Sequence, residues 1–290
     1  MPVFPPYSGI NINSARRLLT RNFDGAGIES AALDARMIVG HVTGLTHSDM
    51  LARGTDFLTP EQFDKMSEMA ARRMAGSPVD MLTGQKAFWK DVLRVTEDVL
   101  SPRPETEGII EAALTLERAP KSVLDLGTGS GAIALSLAAE FPDAAVTATD
   151  ISDAALIVAK DNAARLGRDC KFIKSDWFER VSGTYDLIVS NPPYITDVAM
   201  TGLPKEVMGF DPDLALRGGP DGLLPYRIIA ADAPDFLTPG GHMILEIGFD
   251  QGSAVTEILA AAGFENVSVI KDLAGHDRII TAHVSGVNNA

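Results

Sequence analysis

The stretch KSVLDLGTGSGAIALSLAAEF, residues 121–141, decides the fold. Residues 121–126 form a short apolar run of the kind that makes a buried strand. Gly127, Gly129 and Gly131 interrupt it, and residues 132–141 then carry the small and apolar side chains of a helix. Glycine admits backbone conformations closed to other residues and lets a ligand approach the main chain. Strand, glycine turn and helix in that order predict a nucleotide-type site at the carboxyl end of the strand.

The same rhythm continues outward. Residues 144–150 read as a second strand, and Ser152 is placed to cap a helix over 153–167. Residues 171–176 and 185–191 give two more strands, 225–237 a helix, and Pro239-Gly240-Gly241 a turn. A fifth strand over 242–248, a helix over 252–263 and extended segments at 266–272 and 277–284 close the chain. This alternation predicts an α/β fold with a mostly parallel, Rossmann-like sheet covered on both faces.

Toward the amino terminus the periodicity changes. Residues 1–80 read as a small helical domain, with helices near 14–22 and 30–43 and a third beginning at Thr59. There Pro60 takes the first helical position and Gln62 completes a capping box with Thr59, worth about 1 kcal/mol. Phe63, Met66, Ala70 and Met74 follow at helical spacing before Gly76 stops the helix. The methionines read as the packed face of a bundle. Residues 81–104 alternate around a polar turn and predict a hairpin or linker, and residues 105–290 form the second domain.

Composition narrows the function. The 290 residues carry a net charge of −14, divided as −1 over residues 1–80 and −13 over 81–290, which argues against a stable grip on nucleic acid. The single Cys170 excludes an intramolecular disulfide framework, and no metal-ligand spacing is evident. No apolar run approaches the roughly 18 residues of a membrane span, and the start lacks the pattern of a signal peptide. The expectation is a cytoplasmic protein.

Candidate site residues cluster at strand ends. Asp150 stands 19 residues beyond Gly131, where a carboxylate can accept both hydroxyls of a ribose. With Gly127, Thr128, Gly129, Ser130 and Gly131, it predicts an adenosine-containing cofactor. Gly127, Gly129 and Ala132 also satisfy the dinucleotide fingerprint, so the loop alone leaves a nicotinamide enzyme open. Asp125 tilts the choice: a carboxylate facing the cofactor would repel a pyrophosphate and suit the ammonium and sulfonium of S-adenosyl-L-methionine. The plainer reading, Asp125 as a cap on the loop amides, fits either cofactor. Asp176 and Trp177, at the end of the third strand, could take the adenine amino group and pack on the ring; the alternative for Trp177 is a core residue that only packs.

Asn191-Pro192-Pro193-Tyr194 closes the strand over 185–190. The prolines stiffen the backbone and remove two donors. The Asn191 side-chain oxygen and the Pro192 carbonyl can then both accept from one planar NH2 group, as methylation of an amide or exocyclic amine requires. Tyr194 would supply a flat wall. The stretch from Ile195 to Leu224 shows little periodicity and reads as a long functional loop, mobile until an acceptor orders it.

Taken in order, these motifs resemble the release-factor glutamine methyltransferases of the HemK/PrmC family. Two further segments carry the likeness, Pro102-Arg103-Pro104-Glu105-Thr106-Glu107 and residues 215–223, ALRGGPDGL. Glu105 stands where the family usually has Asp, and Asp211-Pro212 where it has Glu-Pro; both keep the charge. A sister group acting on a ribosomal protein differs at the first segment. The resemblance implies a seven-stranded methyltransferase sheet whose last strand is antiparallel, and a helical domain that binds the protein substrate. It implies transfer of a methyl group from S-adenosyl-L-methionine, leaving S-adenosyl-L-homocysteine, to the glutamine of the Gly-Gly-Gln loop of peptide chain release factors. Gly127 to Gly131, Asp150, Trp177 and Asn191 would bind cofactor, and Asn191 to Tyr194 the glutamine. The alternative is an N6-adenine methyltransferase acting on DNA or RNA, which would flip its base and grip phosphates.

Overall fold

The computed structural model describes residues 7–202 and 209–286. They form two compact units, one holding the chain up to Gln85 and the other nearly all of the rest.

The first unit is helical: α1 (Ile12–Gly25), α2 (Ala31–Thr43), α3 (His47–Ala52), α4 (Pro60–Met74) and α5 (Val79–Thr83). Thr59 and Gln62 form the expected capping box on α4, and Thr46 and Asp49 form another on α3. Phe63, Met66 and Ala70 are buried with Leu19, Phe23 and Ile38 in a single core. An ion pair between Arg73 and Asp34, 2.6 Å long and buried on both sides, ties α4 to α2.

The second unit opens with a hairpin of β1 (Gln85–Phe88) and β2 (Asp91–Arg94). It continues as α6 (Glu107–Leu114), β3 (Ser122–Leu126), α7 (Ala132–Glu140), β4 (Ala145–Asp150), α8 (Asp153–Leu166), β5 (Lys171–Lys174) and β6 (Tyr185–Ser190). After it come α9 (Asp213–Leu216), α10 (Leu224–Phe236), β7 (Leu237–Glu246), α11 (Gly252–Ala261), β8 (Glu265–Lys271) and β9 (Asp277–His283). Seven strands make one sheet in the order β5-β4-β3-β6-β7-β9-β8. The pairs from β5 to β7 are parallel, and β9 runs antiparallel to both neighbours.

Alternation along the strands divides the core between two faces. Leu124, Leu126, Ile188, Met243 and Leu245 pack beneath α10 and α11. Val123, Leu187, Val189 and Ile244 pack beneath α6 and α7. With both faces covered, β3 and β6 are apolar and buried almost throughout.

Two expectations are corrected. Pro239-Gly240-Gly241 does not end an element; it lies inside β7. Between the pairs Tyr185/Leu237 and Leu187/His242, β6 advances two residues while β7 advances five, so the excess bulges out of the ladder. Gly240, at φ +77°, supplies the left-handed backbone that this requires. The stretch from Ile195 to Leu224 is not structureless where described. It holds a 3-10 turn at Ala199–Gly202 and helix α9, and residues 203–208 lie outside the described residues.

Candidate active site

The loop after β3 is built by its glycines. Gly127, Gly129 and Gly131 have φ of +69°, +56° and +85°. A Cβ at Gly127 or Gly129 would meet no protein atom within 4 Å, whereas one at Gly131 would press on Leu135 and Ala159 at 3.0 and 3.3 Å. The first two glycines therefore keep side chains out of the adjoining space, and the third lets α7 approach α8. Thr128 N–H donates to Thr149 O (2.8 Å), and Asn162 Nδ2 on α8 donates to Ser130 O (2.9 Å) and to Arg94 O (2.9 Å). Asn162, which the sequence did not single out, thus joins the loop to the hairpin.

Asp125 lies beneath the loop, fully buried. Its Oδ2 accepts from the Thr128 hydroxyl (2.6 Å) and the Ala134 N–H (3.2 Å), while Oδ1 has no partner among the described residues. Asp125 thus ties Thr128 to the first turn of α7, and it is not among the residues that line the cavity described below. Burial pushes its carboxyl up to about 7, against the opposing hydrogen bond from Thr128.

Asp150, by contrast, lines the cavity. Its Oδ2 accepts from Gly129 N–H (2.8 Å) and its Oδ1 from Ser152 N–H (2.9 Å), so the carboxylate braces the glycine loop. Burial raises its pKa, and the backbone hydrogen bonds work the other way. Asp176 and Trp177 also line the cavity. Trp177 holds a left-handed backbone at φ +44° and is only half-buried against the core, so its ring reaches both core and cavity.

Asn191, one residue past β6, faces the same cavity. Its Nδ2 donates to the Thr106 hydroxyl (3.2 Å), which donates to Glu246 Oε2 (2.6 Å). Pro193 is on the cavity wall; Pro192 and Tyr194 are not. Tyr194 is instead half-buried against the core, and burial pushes its phenol up to about 12.

The Asn191–Tyr194 segment is clamped from behind. Ile195 N–H donates to Leu216 O (2.9 Å), and Gly218 N–H returns a bond to Ile195 O (2.8 Å). Gln251 Nε2 donates to Tyr194 O (3.2 Å) and Gly222 O (3.1 Å). A Cβ on Gly218 would sit 2.8 Å from the Tyr194 Cα. The ALRGGPDGL segment is therefore the backing of the Asn-Pro-Pro-Tyr turn. Arg103 pairs with Asp211 (2.6 Å), which lies just ahead of that segment and ties its approach to the chain before α6. No sequence spacing marks Thr106, Glu246 or Gln251 as site residues; only Thr106 lies within a motif, Pro102 to Glu107.

Together these residues enclose a cavity of about 320 Å³. The glycine loop, Asp150, Asp176, Trp177 and Asn191 share its wall with α9 and the first turn of α10. It joins a carboxylate suited to hydroxyl groups with an amide suited to a planar NH2.

Comparison with known proteins gives a consistent picture. Residues 14–84 match the family model described as the PrmC N-terminal domain, and residues 110–206 match the methyltransferase small domain. The release factor glutamine methyltransferase of Cereibacter sphaeroides is 46% identical over 93% of this chain and 97% of its own length. That of Agrobacterium fabrum is 42% identical over 90% of this chain and 93% of its own. A methyltransferase structure from Pyrococcus furiosus superposes with a TM-score of 0.53 at 21% identity, covering 76% of this chain and 99% of that one, a likeness of fold.

Proposed function

The chain belongs to the release factor glutamine methyltransferase family, and on that premise we propose that it methylates the side-chain amide nitrogen of the glutamine in the Gly-Gly-Gln loop of peptide chain release factors, using S-adenosyl-L-methionine. The observation that carries this reading is that Asp150 and Asn191 line one cavity. Family membership does not favour the adenine alternative, and the charge of −13 over residues 81–290 also weighs against it.

The residues present fit the cofactor. Gly127 and Gly129 line the cavity with open space where a Cβ would stand, and Asp150 keeps lone pairs beyond those used by Gly129 and Ser152. S-adenosyl-L-methionine, when bound, supplies a methyl group activated by its sulfonium and is left as S-adenosyl-L-homocysteine. Asp150 would accept the ribose hydroxyls, Asp176 the adenine amino group, and Trp177 would cover the ring.

On the acceptor side, the Asn191 NH2 is engaged by Thr106, and its Oδ1 accepts no hydrogen bond among the described residues and is not sealed from solvent. That oxygen and the Pro192 carbonyl would hold the two hydrogens of the glutamine amide, aim its nitrogen and favour the positive charge that develops on it. Tyr194 is no base at neutral pH, since its phenol is pushed up to about 12, so the surplus proton leaves to water. The helical unit would dock the body of the release factor, in the cytoplasm where such factors act. Among the described residues no helix is long and apolar enough to cross a membrane.

Labelled cofactor offered with a release factor, a ribosomal protein or nucleic acid tests this. One methyl group on the Gly-Gly-Gln glutamine, lost when that glutamine is replaced, is the expected result. Label on either other acceptor would overturn it.

A further inference from the structure

Asn191 works only in one of its two amide orientations. If its NH2 faced the cavity, it would meet the NH2 of the acceptor, donor against donor. Something must choose the orientation, and three buried or half-buried groups converge to do so.

Strand register brings two of them together. Ser190 of β6 pairs with Leu245 of β7, so Asn191 and Glu246 follow side by side. Thr106, 3% exposed, bridges them from the turn before α6. A hydroxyl has one proton to give, and an ionised carboxylate can only accept. The 2.6 Å bond from Thr106 to Glu246 has the length of a charge-assisted bond, so the threonine proton points at the carboxylate. The Thr106 oxygen is then left as an acceptor, and only the NH2 of Asn191 can satisfy it. The amide oxygen is consequently turned the other way.

We infer that Thr106, set by Glu246, is the positioning residue that fixes the Asn191 amide with its oxygen toward the acceptor nitrogen. The inference deepens the proposed glutamine reading and rests on it for the identity of the acceptor. It assigns a purpose to a threonine that lines the cavity wall beside Asn191. Neither Thr106 nor Glu246 takes part in bond making.

The chain of bonds has a direction, and protonation reverses it. A protonated Glu246 donates to Thr106, the threonine proton turns to Asn191, and the amide must present its oxygen inward. Glu246 is 2% exposed, and burial pushes its carboxyl up to about 7. Arg278 from β9 and Arg103 oppose that rise, Glu105 adds to it, and Tyr194 and Tyr226 also face the carboxylate. The working orientation therefore belongs to the alkaline side of this titration.

The test reads the amide directly. In the cofactor-free, full-length protein, the side-chain ¹⁵NH2 resonances of Asn191 are identified by their loss in Asn191→Asp and followed from about pH 5.5 to 8.5. They should titrate in the wild type, stay flat in Glu246→Gln and move in Thr106→Val. In turnover, Thr106→Val should lower kcat by about 10–100-fold with KM for cofactor and release factor nearly unchanged, and Thr106→Ser should restore it. Wild-type kcat in Thr106→Val, equal impairment in Thr106→Ser, or an Asn191 amide indifferent to Glu246 would each overturn the inference. The resonance measurement needs no acceptor. A protein that titrates as expected yet methylates no release factor sustains the positioning role and overturns the acceptor. One that methylates release factor with an amide blind to Glu246 does the reverse.

Discussion

In the proposed complex Asp150 uses its two oxygens twice, once on the backbone and once toward the ligand. It accepts from Gly129 and Ser152 N–H groups, and in the proposed complex it also accepts from the ribose. Asp150→Ala should therefore raise the dissociation constant for S-adenosyl-L-methionine by about 10²–10⁴, since two hydrogen bonds to a charged group are each worth about 1.5–3 kcal/mol. Calorimetry on the folded variant checks this, and an unchanged constant would remove Asp150 from the site. Asn191 is different, because in the proposed reaction its oxygen matters most when the acceptor nitrogen gains charge. Asn191→Ala should cost about 10²–10³ in single-turnover rate while release-factor binding stays close to wild type. Near wild-type turnover would count against the motif's role. Asp150 and Asn191 were legible in sequence because each ends a strand at a fixed distance from a glycine or proline signal. For Asp125 the sequence leaves two readings open, facing the ligand or bracing the loop, since strand alternation says which face a residue takes but not what its side chain finds there.

At the scale of elements, the Asn-Pro-Pro-Tyr turn depends on what lies behind it. Gly218 and Gly222 pack against Tyr194 so closely that a Cβ on either would overlap its backbone. Gly218→Ala should displace the turn at a cost of about 1–3 kcal/mol and cut kcat by roughly 10²-fold through misplacement of Asn191. Its cofactor affinity should hold, because Asp150 and the glycine loop belong to other elements. A variant weakened equally in cofactor binding would show that the clamp supports the whole cavity. The sequence presents the segment as an unpatterned loop, because its order comes from bonds to Ile195 and Gln251 that no periodicity encodes. The bulge at Gly240 has a related cause: Pro-Gly-Gly permits a bend, and the neighbouring strand decides that the chain resumes the same strand afterwards.

For the molecule as a whole, two buried carboxyls leave a signature in stability. Burial raises Asp125 from 3.8 and Glu246 from 4.5, each to about 7. Both bind a proton more tightly folded than unfolded, so their contribution is fully present below the unfolded values and is lost as pH rises through about 7. Denaturant unfolding of the cofactor-free protein at pH 6 and pH 8 should show a smaller loss toward pH 8 in Glu246→Gln than in the wild type; an identical pH dependence would contradict the assignment. Legible in the chain before folding are the alternation of strands and helices, the glycine loop, Asp150 and the Asn-Pro-Pro-Tyr turn. Each is written in local spacing and backbone chemistry, which neighbours along the chain settle among themselves. Tertiary structure alone decided the partners. Thr106 meets Asn191 across 85 positions and Glu246 across 140, and Arg103 meets Asp211 across 108. Strand order in the sheet brings Asn191 beside Glu246, chain packing brings the turn before α6 to them and to Asp211, and an unsatisfied buried donor or charge is costly enough that residues so brought together must complete one another's hydrogen bonds.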